Sequence, residues 1–256
     1  MTLHLKKNSR QRLVVAAGLA MMGLVGTPRT PCAQEPTIVD VPLATASVPN
    51  GVRKYVYYMR ESANAPEKEF ATWQVETLRD KYNGYPTMLR VMTFVAKDSN
   101  IVVDSVLTYE RTMAPIWEKS YLEGKRVRLD YDFRGITVQV WLTRDFIARK
   151  YRYVYDDPMF NASDVFLVIG SLPLKVGYRG RISSFTYEYE NASTDPFQVL
   201  RADSIQTPRG MRPAWVTSIV QRGIQMTLWS DQETREVLRL LCLFPDKRQL
   251  RLEAAN

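Results

Sequence analysis

A single histidine, His4, is all that the 256 residues contain, and it stands at the very start of the chain. Beyond it neither a Ser-His-Asp nor a Cys-His arrangement can be assembled. Zinc sites built on imidazole are excluded too, and two cysteines so far apart, Cys32 and Cys242, make no thiolate cluster. The sequence has no G-x-x-x-x-G-K-[ST] loop and no G-x-G-x-x-G after a strand. It has no G-x-S-x-G elbow either. These absences point to a protein that binds rather than catalyses, with no catalytic residue, metal or cofactor to assign. With Cys242 the one cysteine of the chain body, stability has to come from a buried core rather than a disulfide.

The acidic residues supply no alternative chemistry. Glycoside hydrolysis needs two carboxyls facing each other across a substrate. Asp156 and Asp157 are neighbours on a strand end and point to opposite faces. Asp130 and Asp132 share a face, but with Arg126 and Arg128, as on a charge-paired wet surface. Asp98-Ser99-Asn100 lacks the spaced ligands of a calcium loop. Cys242, inside Leu240-Leu241-Cys242-Leu243-Phe244, reads as a small buried hydrophobe.

The chain start carries positive information. Lys6, Lys7, Arg10 and Arg12 precede an uncharged run from Leu13 to Val25, which Gly26, Thr27 and Pro28 interrupt. That order is expected of a cleavable secretory signal over residues 1–33, and it places the mature protein in the periplasm or outside the cell. The run is too short for a membrane span. Lipid attachment at Cys32 is the rival, disfavoured by Arg29-Thr30-Pro31 before it. The full chain has a net charge of +8, with Lys+Arg 35 and Asp+Glu 27. The first 33 residues hold five of the basic residues and no acidic one, so the remainder carries +3. Its charges are mixed in sign along every segment, which excludes a nucleic-acid-binding face. Residues 34–50, punctuated by Pro36, Pro42 and Pro49, read as a linker to one domain over 51–256.

That domain reads as strand throughout. Arg126 to Phe133 alternates, with Val127, Leu129, Tyr131 and Phe133 on one face; Arg134-Gly135 turns the chain, and Ile136 to Trp141 alternates again. This pattern predicts an antiparallel hairpin with one buried face. Thr72–Leu78, Thr87–Ala96, Ile101–Tyr109, Ile116–Tyr121 and Lys150–Tyr155 predict further strands. So do Arg181–Glu190, Phe197–Gln206, Trp215–Gln221, Ile224–Ser230, Arg235–Phe244 and Gln249–Glu253. About a dozen short strands imply a mainly β fold, one large curled antiparallel sheet forming a closed or unclosed barrel. One helix is expected near residues 163–171, capped by Ser163 and stopped by Gly170 and Pro173, although a buried strand fits the same apolar run.

Aromatic residues are the strongest positive signal. Trp73, Trp117, Trp141, Trp215 and Trp229 fall on separate strands, with Tyr131 and Phe133 among them. Most such rings fill a core, yet a curled sheet of this size can also enclose an apolar ligand. These seven, with Phe166 and Leu167 of the expected helix as a plug, form the candidate binding set. Trp141 points away from Val138 and Val140, which suggests a second apolar contact there, with Phe166 and Leu167 as its partners.

From about Met88 to Glu253 the chain resembles a group of secreted bacterial domains of unknown function. These are similar in fold to the periplasmic carriers of the lipoprotein localisation system. The matching pieces are Val103-Asp104-Ser105, Thr112-Met113-Ala114-Pro115-Ile116-Trp117, Leu172-Pro173-Leu174-Lys175-Val176-Gly177, Thr207-Pro208-Arg209-Gly210 and Leu228-Trp229-Ser230-Asp231 with Thr234 to Leu238. The resemblance implies an unclosed, strongly curved sheet, a helix across its opening, and an interior suited to the acyl chain of a lipid or lipoprotein. It implies no catalytic set, and at most peripheral contact with a membrane. A non-catalytic envelope interaction protein with a filled core is the alternative expectation.

Overall fold

A computed structural model describes residues 43–98, 100–123, 126–186, 191–221 and 223–255. The expected signal peptide and most of the expected linker lie outside them. The fold is one sheet of fifteen strands, antiparallel at every pairing but one. Strands β1 (Gly51–Arg60), β2 (Lys68–Tyr82), β3 (Tyr85–Ala96), β4 (Ile101–Tyr109) and β5 (Pro115–Leu122) lead into β6 (Val127–Arg134), β7 (Thr137–Arg144) and β8 (Ile147–Val154). A short β9 (Phe160–Asn161) precedes helix α1 (Val165–Ser171). Then follow β10 (Arg179–Thr186), β11 (Asn191–Thr207), β12 (Gly210–Gln221), β13 (Ile224–Asp231), β14 (Val237–Leu243) and β15 (Gln249–Ala254).

The spatial order follows from the hairpins. Consecutive strands pair within the runs β1 to β8 and β10 to β15, β1 pairs with β15 to join the two runs, and the short β9 lies parallel to β10. The sheet therefore has its free edges at β8 and at β9–β10. A sheet of this length twists and curls until its edges approach. Every strand then has an inner and an outer face, and alternation decides which residue fills which. Val127, Leu129, Tyr131 and Phe133 are buried, and the intervening Arg128, Asp130 and Asp132 are not. Arg128 pairs with Asp130 at 3.0 Å and Arg134 with Asp132 at 2.7 Å, so this outer face is charge-paired as the alternation predicts.

Several boundaries move. The strand expected at Phe197 begins at Asn191, and the one expected at Lys150 begins at Ile147. Ile136 belongs to the turn and is exposed, not to the buried row of Val138 and Val140. Of the expected strand Arg181–Glu190, residues 187–190 lie outside the described set. The helix is present, but its entry differs: a 3-10 turn over Ala162–Asp164, capped by Asn161, leads in, and the N-cap position of α1 is Asp164 rather than Ser163. The Asn161 side-chain oxygen accepts from the Ser163 backbone N–H at 2.7 Å, leaving one orphan donor fewer at the helix start.

Residues 43–50 are fastened to the barrel. Leu43 and Val48 join the main core. Arg79 on β2 donates to the Thr45 and Val48 carbonyls at 2.7 and 2.6 Å and pairs with Glu110 at 2.5 Å.

Two cores result. The larger gathers α1, the central strands from β1 to β4 and β11 to β15, with Met88, Met92, Met113, Ile169, Leu172, Ile182, Leu228 and Leu252 fully buried. The smaller joins β6, β7 and β10 through Leu129, Tyr131, Phe133, Val138, Val140 and Phe185.

Candidate functional site

The interior of the curled sheet is the candidate site, and the inner face of each strand delivers its side chains. Trp73 and Trp215 face inward and pack against the larger core with Phe166, while Leu167 is buried within it. Tyr131 and Phe133 line the smaller core. Six of the nine expected residues thus reach the interior, in two separate groups.

The other three do not. Trp117, Trp141 and Trp229 occupy outer-face positions, where Lys119, Lys150 and Arg239 lie over their rings at 5.1, 5.0 and 5.7 Å. Parity is the reason. Glu118 and Val140 take the buried positions, so their neighbours Trp117 and Trp141 must face out. The expected contact of Trp141 with Phe166 and Leu167 is not made. A cation over the ring covers part of that apolar surface instead, which explains why a strand end can look apolar on both faces without a lid.

The helix fills the middle of the larger core. Val168, Ile169 and Leu172 have no exposed surface. Gly170 permits its close approach to β13: a Cβ there would lie 2.9 Å from the Arg235 carbonyl oxygen and 3.0 Å from Ser230 Oγ. Where the sequence suggests an enclosed space, the helix supplies the filling.

A polar layer lies beneath the helix start. Arg90 on β3 forms an ion pair with Asp164, the residue just before α1, and both side chains are buried. Burial pushes the Asp164 carboxyl above the usual carboxylate range, and the Arg90 guanidinium pulls it back. Asn161 on β9 donates its side-chain N–H to the buried Glu118 carboxylate on β5. Arg90 Nε and Asp164 Oδ2 have no partner of their own. These four residues were not anticipated. A signal existed for one of them: Arg90 occupies a buried-parity position between Met88 and Met92, where an unpaired charge is untenable.

The edges of the sheet meet at a seam. No backbone ladder joins β8 to β9 or β10 among the described residues. Rings span the gap instead: Phe185 of β10 lies 6.0 Å from Tyr131, 5.2 Å from Tyr153 and 5.9 Å from Tyr155. Tyr151, Tyr153 and Tyr155 stack in a row at 6.5 Å spacing along β8 and just beyond its end. Burial pushes the Tyr155 phenol up to about 12, so this ring is uncharged at any physiological pH.

A cleft of about 260 Å³ is lined by Arg53, Tyr55, Arg209, Arg212, Asp231 and Glu236, and its Tyr55 belongs to the larger core. Two ion pairs lie in it, Arg53 with Glu236 and Arg212 with Asp231, the latter at 2.8 Å. Burial acts to raise the Asp231 carboxyl, but Arg212 and the backbone N–H groups of Thr234 and Glu233 hold it below the usual range. Among the described residues no three of His, Cys, Asp and Glu gather as metal ligands would. Burial pushes the Cys242 thiol up to about 12 and leaves it inert.

A family model described as protein of unknown function (DUF3108) matches residues 54–242. No curated protein matches the sequence. Among solved structures, the chain is similar to a β-barrel-like protein of the domain of unknown function DUF1849 from Brucella abortus. That likeness has a TM-score of 0.50 and 9% identity over 81% of this chain and 97% of the other. A protein with a YmcC-like fold from Bacteroides fragilis also aligns, at a TM-score of 0.34 and 8% identity, over 82% of this chain and 98% of that one. At such identities the first likeness concerns the fold alone.

Proposed function

The chain belongs to the DUF3108 family of proteins of unknown function, and from that premise we propose that it is an exported, non-catalytic binding protein of the cell envelope. In this reading it takes an apolar chain, such as the acyl chain of a lipid or lipoprotein, into the interior of its curled sheet. The observation that carries the proposal is the seam. The two sheet edges are held by Phe185 against Tyr131, Tyr153 and Tyr155, with no ladder between β8 and β10. Ring contacts part without breaking backbone hydrogen bonds, so this is the line along which the wall opens at least cost. In the larger core, Met88, Met92 and Met113 are flexible fillers that repack around a guest. Export is supported by the basic-then-apolar start of the sequence.

Full burial of Val168, Ile169 and Leu172 favours a second reading, in which the core is permanently filled and the protein works through its surface. Under the first reading, α1 must yield its place to the guest. Native mass spectrometry of protein purified gently from the envelope, followed by displacement of a fluorescent fatty acid, separates the two. Binding predicts co-purified lipid, saturable uptake of the probe, and a loss of uptake in Leu167→Trp larger than its loss of stability. No bound lipid, no uptake, and a Leu167→Trp variant merely destabilised by about 1–3 kcal/mol would leave only the filled-core reading. The mature chain should begin near Gln34; intact Met1 on envelope protein contradicts cleavage.

A further inference from the structure

The β7–β8 hairpin closes with a two-residue turn, Asp145-Phe146, in which both residues have positive φ, 47° and 68°. Turns of this kind match the twist of a hairpin and select Asn-Gly. The β2–β3 hairpin of the same chain has that pair, Asn83-Gly84, at 51° and 83°. A phenylalanine is sterically ill suited to such a position. Phe146 is nonetheless there, 97% exposed, with Ile147 beside it at 62%. Every residue from Arg144 to Lys150 is exposed, so both faces of the hairpin end project from the barrel.

Cations stand beside this tip and continue along β8. Arg144, Arg149, Lys150 and Arg152 lie on the hairpin, and the exposed Arg126 stands at the start of the adjoining β6. None of the five forms an ion pair among the described residues, and Asp145 is the one acidic residue between Arg144 and Tyr155. Charged residues on an edge strand also deter unwanted pairing with other strands. That role accounts for Arg149, Lys150 and Arg152, but not for an exposed Phe-Ile pair at the turn itself. A protein strand added along β8 would leave the turn tip uncovered.

We propose that the β7–β8 tip is an anchor for the surface of an anionic bilayer, with Phe146 and Ile147 entering the interface and the neighbouring cations meeting lipid phosphates. Apolar area and positive charge cooperate in this mode of binding, and neither suffices alone. No helix among the described residues is long and apolar enough to cross a membrane. The inference goes beyond the binding of an interior guest and does not depend on it.

Co-sedimentation of the signal-processed protein with sucrose-loaded vesicles tests it. Vesicles of phosphatidylcholine containing phosphatidylglycerol should bind the protein, pure phosphatidylcholine vesicles should not, and added salt should release it. Phe146→Ser should weaken binding about tenfold. The pair Arg149→Gln with Arg152→Gln should weaken it by at least as much. Both variants alter exposed positions, so an unchanged melting temperature and unchanged fatty-acid uptake would assign the loss to the anchor. No binding to either vesicle, equal binding to both, or full binding by Phe146→Ser would overturn the proposal. Absence of vesicle binding together with capture of a strand on β8 would make that edge a protein site instead.

Discussion

The two large cores of this protein are closed in different ways. Around α1 the wall is continuous: from β11 through β15 and β1 to β5, each strand is hydrogen-bonded to both neighbours. At β8 and β10 the wall is discontinuous, and side chains alone complete it. A backbone ladder resists opening along its whole length, whereas a ring seam resists only where rings touch. The larger core is also pinned by a buried ion pair at the helix start, while the seam is pinned by Phe185 and by the Asn161–Glu118 bond across to β5.

The sharpest way to break this comparison is at the pin of the helix. Asp164→Ala removes the acceptor facing Arg90 and strands a guanidinium that cannot shed its proton. It should cost about 3–5 kcal/mol in urea unfolding. Asp164→Asn keeps an oxygen toward Arg90 and should cost clearly less. Equal losses in the two variants would mean that charge, and not the hydrogen bond, holds the helix.

Phe185→Ala should cost about 3 kcal/mol, at the low end for a buried phenylalanine because one side of its pocket is an open edge. Its signature should be local. Amides of β8 and β10 should exchange faster with deuterium, and those of β13 and β14 should be unchanged. A uniform rise across the sheet would show that the seam is no weaker than the ladders. Trp141→Ala, also an aromatic truncation but on the outer face, should cost about 1 kcal/mol.

Gly170→Ala should cost about 1–3 kcal/mol by pushing α1 away from β13. If the interior accepts a guest by moving the helix, this variant should also take up a fluorescent fatty acid faster. A slower uptake would argue that α1 stays in place during binding.

The smallest effect is in pH dependence, and its sign distinguishes Asp231 from Asp164. Asp231 has a depressed value, so its contribution is present above the ordinary aspartate value of about 3.9 and is lost as pH falls through the folded one. The stability gap between wild type and Asp231→Asn should therefore narrow in acid. Asp164, whose value is raised, has the opposite sign: its contribution is full below the ordinary value and declines as pH rises. A gap for Asp231→Asn that widens on acidification would contradict the assignment of Arg212 and the backbone N–H groups of Thr234 and Glu233 as its partners.

Much of this architecture could be read from residue order alone. Period-two alternation is imposed by the pleat, so Val127, Leu129, Tyr131 and Phe133 declared both the strand and its buried face. Turn pairs such as Asn83-Gly84 declared the hairpins, and a chain of hairpins can only form an antiparallel sheet. The lack of histidine beyond His4 fixed in advance which catalytic arrangements could not exist. Tertiary structure alone decided what alternation cannot reach. Whether the sheet closed depended on the summed twist of fifteen strands, and its outcome was a seam at Phe185. Whether the interior stood open depended on where α1 came to rest, and Gly170 let it come close. Which tryptophans turned inward depended on register: Trp73 and Trp215 share parity with the core, and Trp117, Trp141 and Trp229 do not. The Arg90–Asp164 pair joins positions 74 residues apart, and no local rule of sequence places such partners together, because their meeting is a property of the curl and not of either strand.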